Sequence, residues 1–171
     1  MTTTSGAGPS GTSFGLRMID HVGISVSDLD RSVAFYQALT GVAPAVRNET
    51  IEGPGFARGA GLPTTKLRYA TFQLENLNID VIEFQEPRGE PVPATANRPG
   101  SIHLCFEVEN LADVHARMRR AGIEFLGEPY RFSDEEVSAK DSVGTEVAYF
   151  NDPDGNNLEL IAPRGGFVRR G

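Results

Sequence analysis

After Ile19, apolar residues alternate at Val22, Ile24 and Val26, the period of a strand with one packed face. His21, Gly23 and Ser25 are left on the other face. The period then lengthens: Leu29, Val33, Tyr36 and Leu39 recur at helical spacing, behind capping side chains in Ser27-Asp28-Leu29-Asp30 and ahead of a stop at Gly41. Residues 42 to 64 are rich in glycine and proline and read as an irregular excursion. Its length exceeds an ordinary connection, so it is expected to be a functional loop beside a pocket, where the substrate would be sought. Strand periodicity resumes over Lys66–Leu74 and returns from Asn78 to Gln85, with Val81, Glu83 and Gln85 on one face and Ile82 and Phe84 on the other.

The plan then repeats. A proline-rich stretch, Pro87 to Gly100, reads as a linker. Beyond it come a strand at Ile102–Val108, a helix at Leu111–Arg120 with Leu111, Val114 and Met118 as its buried stripe, and a stop at Gly122. Strands are expected at 124–126, 131–138 and 145–151, with a tight turn at Asp152-Pro153-Asp154-Gly155 leading into a last strand at 157–162. His21 and His103, Val26 and Val108, and Leu29 and Leu111 share one offset. Glu83 with Glu159 and Pro87 with Pro163 share a shorter one, attributed to the longer middle of the first half. The expected organisation is a disordered tail at 1–17, a strand-helix-strand-strand-strand module at 18–87, a linker at 88–100, a second such module at 101–163 and a tail at 164–171.

Composition narrows the function. A net charge of -7 opposes binding to a phosphate backbone, and Arg117, Arg119 and Arg120 read as a solvated helix face. The single cysteine, Cys105, excludes an intramolecular disulfide framework and fits a reducing cytosol. No apolar run approaches the roughly 20 residues that span a bilayer, and the first residues lack the pattern of a secretory signal. The expectations are a cytoplasmic protein with no nucleic-acid or membrane partner.

Four residues carry candidate chemistry: His21, Glu83, His103 and Glu159. A lone histidine on a strand usually has an ordinary hydrogen-bonding role. A carboxylate between apolar neighbours is costlier to bury unless it is paired or metal-bound. Two modules that each offer one His and one Glu on inward faces suggest one divided metal site. Such a mixed nitrogen and oxygen set suits a divalent ion (Mn, Co, Ni, Fe, Mg or Zn) with positions left for water or substrate. It is unlike a closed, cysteine-rich structural zinc site. Cys105 shares a face with His103 and is either pocket-lining or a small core residue. Arg68 and Tyr69 alternate, so one of them faces the cavity, and Glu146 is either an auxiliary acid-base group or an exposed edge charge. His115 receives no function.

The segments Ile19–Val26 with Phe35-Tyr36, Val81–Pro87, Ser101–Val108 and Asp152–Ile161 resemble the vicinal oxygen chelate superfamily, which includes glyoxalase I, methylmalonyl-CoA epimerase, bleomycin-resistance proteins and extradiol dioxygenases. The resemblance covers roughly residues 18 to 163. It implies an α+β fold of two βαβββ modules forming an incomplete eight-stranded barrel around a metal, held by His21, Glu83, His103 and Glu159. It further implies a homodimer acting on a small molecule, with the two modules pairing in one chain or exchanging with a partner. The expected activity is that of a divalent-metal-dependent epimerase or isomerase. It would remove a proton beside a carbonyl through a metal-bound enediolate, with Glu83 or Glu159 as base, on a hydroxyketone or acyl-CoA substrate. The alternatives are a glyoxalase-like lyase, a non-catalytic binding or resistance protein, and an Fe(II) ring-cleaving dioxygenase, against which Glu83 counts.

Overall fold

The computed structural model describes residues 15–91 and 95–164. The expected tails, apart from Gly15 to Arg17 and Arg164, and residues 92–94 of the expected linker lie outside the described residues. The first half contains β1 (His21–Ser25), α1 (Leu29–Thr40), β2 (Val46–Glu52), α2 (Pro54–Ala60), β3 (Lys66–Gln73) and β4 (Asn78–Glu86). The second contains β5 (His103–Glu107), α3 (Leu111–Arg120), β6 (Tyr130–Arg131), β7 (Glu146–Asn151) and β8 (Asn157–Ala162). Each half forms its own four-stranded sheet, ordered β1-β4-β3-β2 and β5-β8-β7-β6. In both, the opening strand pairs in parallel with the closing strand and the remaining pairs are antiparallel. The architecture is α+β, and the two open sheets are compatible with an incomplete barrel.

Helix α1 forms where the sequence marks it: the Asp28 side chain accepts from the Arg31 N–H at the start, and Gly41 ends it in the left-handed region at φ 74°. Leu29 and Tyr36 of α1 pack on Ile24, Ala70, Phe72, Ile79 and Val81. Leu111 of α3 packs in the same way on Ala148, Phe150, Leu158 and Leu160. Phe35, Leu39, Leu104 and Phe106 touch both clusters, so the apolar core runs from one sheet to the other. Each helix covers one face of its sheet. The opposite faces stay open, with His21, Gly23 and Ser25 exposed on β1 and Cys105 and Glu107 exposed on β5.

The Asp152–Gly155 turn joins the halves away from the linker. The Tyr36 hydroxyl donates to Asp152 (3.0 Å), while Ser27 (2.5 Å) and Arg31 (2.8 Å) donate to Asp154. Burial, with Asp152 beside it, holds the Tyr36 phenol well above its usual pKa.

Three expectations need correction. Residues 42 to 64 are not irregular, since they contain β2 and α2. β2 is an edge strand, polar on both faces and bulged between Asn48 and Ile51, so it carries no two-fold apolar signal. α2 starts on Pro54 and ends at left-handed Gly61, punctuation that reads as loop when the turns are taken singly. The strand expected at 131–138 is only Tyr130–Arg131, and the one at 124–126 reduces to a bridge between Phe125 and Phe150. The closing strands are also offset differently: Asn78 stands opposite His21 as Asn157 stands opposite His103, a spacing of 79 residues.

Candidate functional site

On the open face of the second sheet the parallel pairing places Asn157 opposite His103 and Glu159 opposite Cys105. Paired residues of a parallel ladder share a face, so these four side chains stand together. His103 Nε2 lies 2.9 Å from Glu159 Oε2. Glu159 is 6% exposed, whereas the His103 side chain is 45% exposed, so the buried carboxylate is reached through an accessible imidazole. Tyr149 faces Glu159 from β7, and its ring meets His103 edge to face at 5.9 Å. Burial, then its hydrogen bond to Glu159, pushes the Tyr149 phenol up to about 12. Cys105 is exposed as a residue, yet the crowding of protein around its thiol, followed by the Glu159 charge, pushes it up to about 12 as well. That thiol is a poor nucleophile near neutral pH.

The first sheet carries a counterpart. His21 Nδ1 is 2.9 Å from Asp20 and its Nε2 is 3.9 Å from Asp80 Oδ2. The hydrogen bond with Asp20, reinforced by the charge of Asp80, raises the His21 pKa against the opposing effect of burial. Asp80 stands opposite Gly23 as Glu159 stands opposite Cys105, and the Thr71 hydroxyl donates to it at 2.6 Å. Asp80 is therefore the positional equivalent of Glu159. The signal was present in the sequence as Asn78-Ile79-Asp80 against Asn157-Leu158-Glu159, but matching glutamate to glutamate hid it.

Glu83 stands apart from this arrangement. It lies on the opposite face of β4, 5% exposed beneath α1, where its Oε2 accepts from the Leu29 N–H (3.0 Å) and Arg68 Nε (2.7 Å). Three residues separate it from Asp80, and an odd spacing on a strand reverses the face. Arg68 sits on the same helix-covered face and also pairs with Asp30 (3.1 Å), whereas Tyr69, opposite Ile82, shares the face of Asp80. Glu146 stands opposite Ala162, on the face away from Glu159. His115 is buried on α3 and packs against Phe125 at 4.2 Å.

Each open face thus offers one imidazole and one carboxylate. Among the described residues, no three His, Cys, Asp or Glu side chains gather as a metal cage. The donor chemistry fits a divalent ion. The buried Asn157 Oδ1 is a further oxygen with no hydrogen-bond partner, on the strand position opposite His103. Number is what a single half-site lacks.

At the far end of β1 a cavity of 620 Å³ is bounded by Ser25, Val26, Leu62, Phe84, the segment Pro87–Pro91 and the Asp152–Gly155 turn through Asp154. Of the expected substrate excursion, Leu62 alone reaches it.

The model of the glyoxalase/bleomycin resistance protein/dioxygenase superfamily matches residues 18–160. A protein named glyoxylase I 4 from Arabidopsis thaliana is 24% identical over 148 residues, spanning 85% of this chain and 70% of that one. A virulence protein of Salmonella typhimurium is 27% identical over 144 residues, 83% of this chain and 81% of the other. Among solved structures, a glyoxalase family protein from Bacillus cereus superposes with a TM-score of 0.71 at 24% identity, covering 93% of this chain and all of that one. A glyoxylase/bleomycin resistance protein/dioxygenase domain from Frankia sp. EAN1pec gives 0.54 at 24% identity, covering 89% and 96%. At these identities the structural likeness speaks for the fold.

Proposed function

The chain belongs to the glyoxalase/bleomycin resistance protein/dioxygenase superfamily, and from that premise we propose that it is a divalent-metal-dependent isomerase, epimerase or lyase acting beside the carbonyl of a small oxygenated molecule. The observation that carries this reading is the His103–Glu159 pair on an open sheet face, echoed by His21 and Asp80. His21, Asp80, His103 and Glu159 would hold the ion, with Asp80 replacing Glu83 in the set expected from sequence. Because one chain keeps the two pairs apart, the reading requires a second copy, each site taking one pair from each chain.

When bound, the ion supplies Lewis acidity to a substrate carbonyl. The rest falls to the protein. Glu159 is the base that accepts the proton from carbon, since its carboxylate lies against the open face and is oriented by the Tyr149 hydroxyl. The same carboxylate returns the proton to that carbon or its neighbour. The buried floor of the sheet beneath it keeps bulk water from one side of the reacting atom. A second reading, a small-molecule binding protein without a metal, is favoured by the separation of the two pairs.

Manganese titration followed by calorimetry tests the first reading. Wild type should bind one ion per chain, Asp80→Asn and Glu159→Gln should each weaken binding by more than about tenfold, and Glu83→Gln should leave it unchanged. Chains carrying His21→Ala and His103→Ala should each bind weakly alone and recover part of the binding when mixed, because a mixed pair contains one intact site. Absence of ion binding, or loss through Glu83→Gln in a folded protein, overturns the reading. Incorporation of solvent deuterium beside the carbonyl of a 2-hydroxyketone then tests the chemistry.

A further inference from the structure

We propose that the 620 Å³ cavity at the end of β1 and β4 binds an apolar small molecule that carries a carboxylate, with Arg88 receiving the acid group. Its volume lies within the range of small-molecule sites. Val26, Leu62, and Phe84 with Pro87 give it apolar walls drawn from three separate segments, which suits a compact hydrocarbon or aromatic body better than a sugar.

The charged and amide side chains around the cavity are already committed, with two exceptions. The Asp154 carboxylate is held by Ser27 and Arg31, and the Asn156 amide donates to the Ser25 carbonyl (3.3 Å) and to Asp152 (2.9 Å). Arg88 and Glu90 line the same cavity, but among the described residues neither pairs with the other or with a further opposite charge. Both adjoin walls of the cavity, Arg88 beside Pro87 and Glu90 beside Pro91, but Glu90 shares the lining with a second carboxylate, Asp154, whereas Arg88 is the one cation among the described lining residues. A guanidinium also presents a planar fork of donors that matches a carboxylate. The anionic ligand is favoured for these reasons, despite the net charge of -7 on the whole chain.

The proposal does not require the metal reading. If both hold, the body of the substrate lies near Ser25, four residues and about 13 Å along β1 from His21.

The test uses the full ¹⁵N-labelled chain without added metal and three probes that share one body: 4-phenylbutyrate, 4-phenylbutanol and 4-phenylbutylamine. The amides of Ser25, Val26, Leu62 and Arg88–Glu90 should shift on titration, with the acid binding tighter than the alcohol by up to about fivefold, the worth of an exposed charge pair. Arg88→Ala, at an exposed position, should remove that preference and leave the alcohol's affinity unchanged. Leu62→Trp should fill the cavity and abolish binding of all three; as the only tryptophan in the chain it also reports by fluorescence whether the variant is folded. The proposal is overturned if these amides do not respond, if the amine binds tightest, or if the shifts follow protein concentration rather than ligand, meaning that a second copy covers the cavity. Since metal is absent throughout, failure here leaves the manganese result standing, and the reverse.

Discussion

Asp80 and Glu83 sit three residues apart on β4 and face opposite ways, and their roles differ for that reason. Glu83 is enclosed under α1, so removing its carboxylate strips the Leu29 N–H of its acceptor and a largely buried Arg68 of its nearest partner, leaving that guanidinium to the more exposed Asp30 and Glu49. Glu83→Ala should cost about 3 kcal/mol in urea unfolding, whereas Asp80→Asn, on the open face, should cost less than about 1 kcal/mol. Equal losses would show that the faces have been assigned wrongly. That His103 and Glu159 meet on one face was legible in the sequence, because strand alternation sets both side chains there. Residue identity pairs Glu83 with Glu159, whereas the register with β1 sets Glu83 at the position of Ala162, a correspondence that strand pairing alone reveals.

At the scale of elements, α1 is the hinge pin of the molecule. Ser27, just ahead of its cap, and Arg31 in its first turn hold Asp154, and its middle carries Tyr36 against Asp152. Burial alone would raise the Asp154 carboxyl, but the hydrogen bonds from Ser27 and Arg31 outweigh it and hold the group below the usual carboxylate value. A depressed folded pKa contributes stability that is complete above the unfolded value, near 3.8, and is lost as pH falls through the lower folded value. The stability gap between wild type and Asp154→Asn, about 1 kcal/mol, should therefore be flat above about pH 5 and close on further acidification. Urea midpoints across a pH series check this, and a gap that widens in acid would contradict it. The caps of α1 and the Asp152–Gly155 turn could be read from sequence because each rests on local chemistry. β2 and α2 could not, because an edge strand and a glycine-rich helix acquire their structure from the neighbours they pack against.

At the scale of the whole molecule, the continuous core decides how the two modules behave. Phe35 and Leu39 project from α1 into the clusters of both sheets, and Leu104 and Phe106 do the same from β5. Phe35→Ala should destabilise the chain by about 2–3 kcal/mol and raise amide exchange in β7 and β8 in step with β3 and β4. Exchange confined to the first sheet would mean that the modules open independently. The repeat was visible in the sequence, but this sharing was not, since nothing in a repeat says which side chains cross between its copies.

The division of each sheet into a helix-covered face and an open face has a consequence for how such a protein changes over generations. Residues such as Ser25, Tyr69 and Glu107 occupy strands whose hold on the fold comes from their neighbours Ile24, Ala70 and Phe106, on the other side. Ligand preference can drift through the first set while selection on folding acts on the second, so one scaffold can be handed from one chemistry to another with little loss of stability at each step.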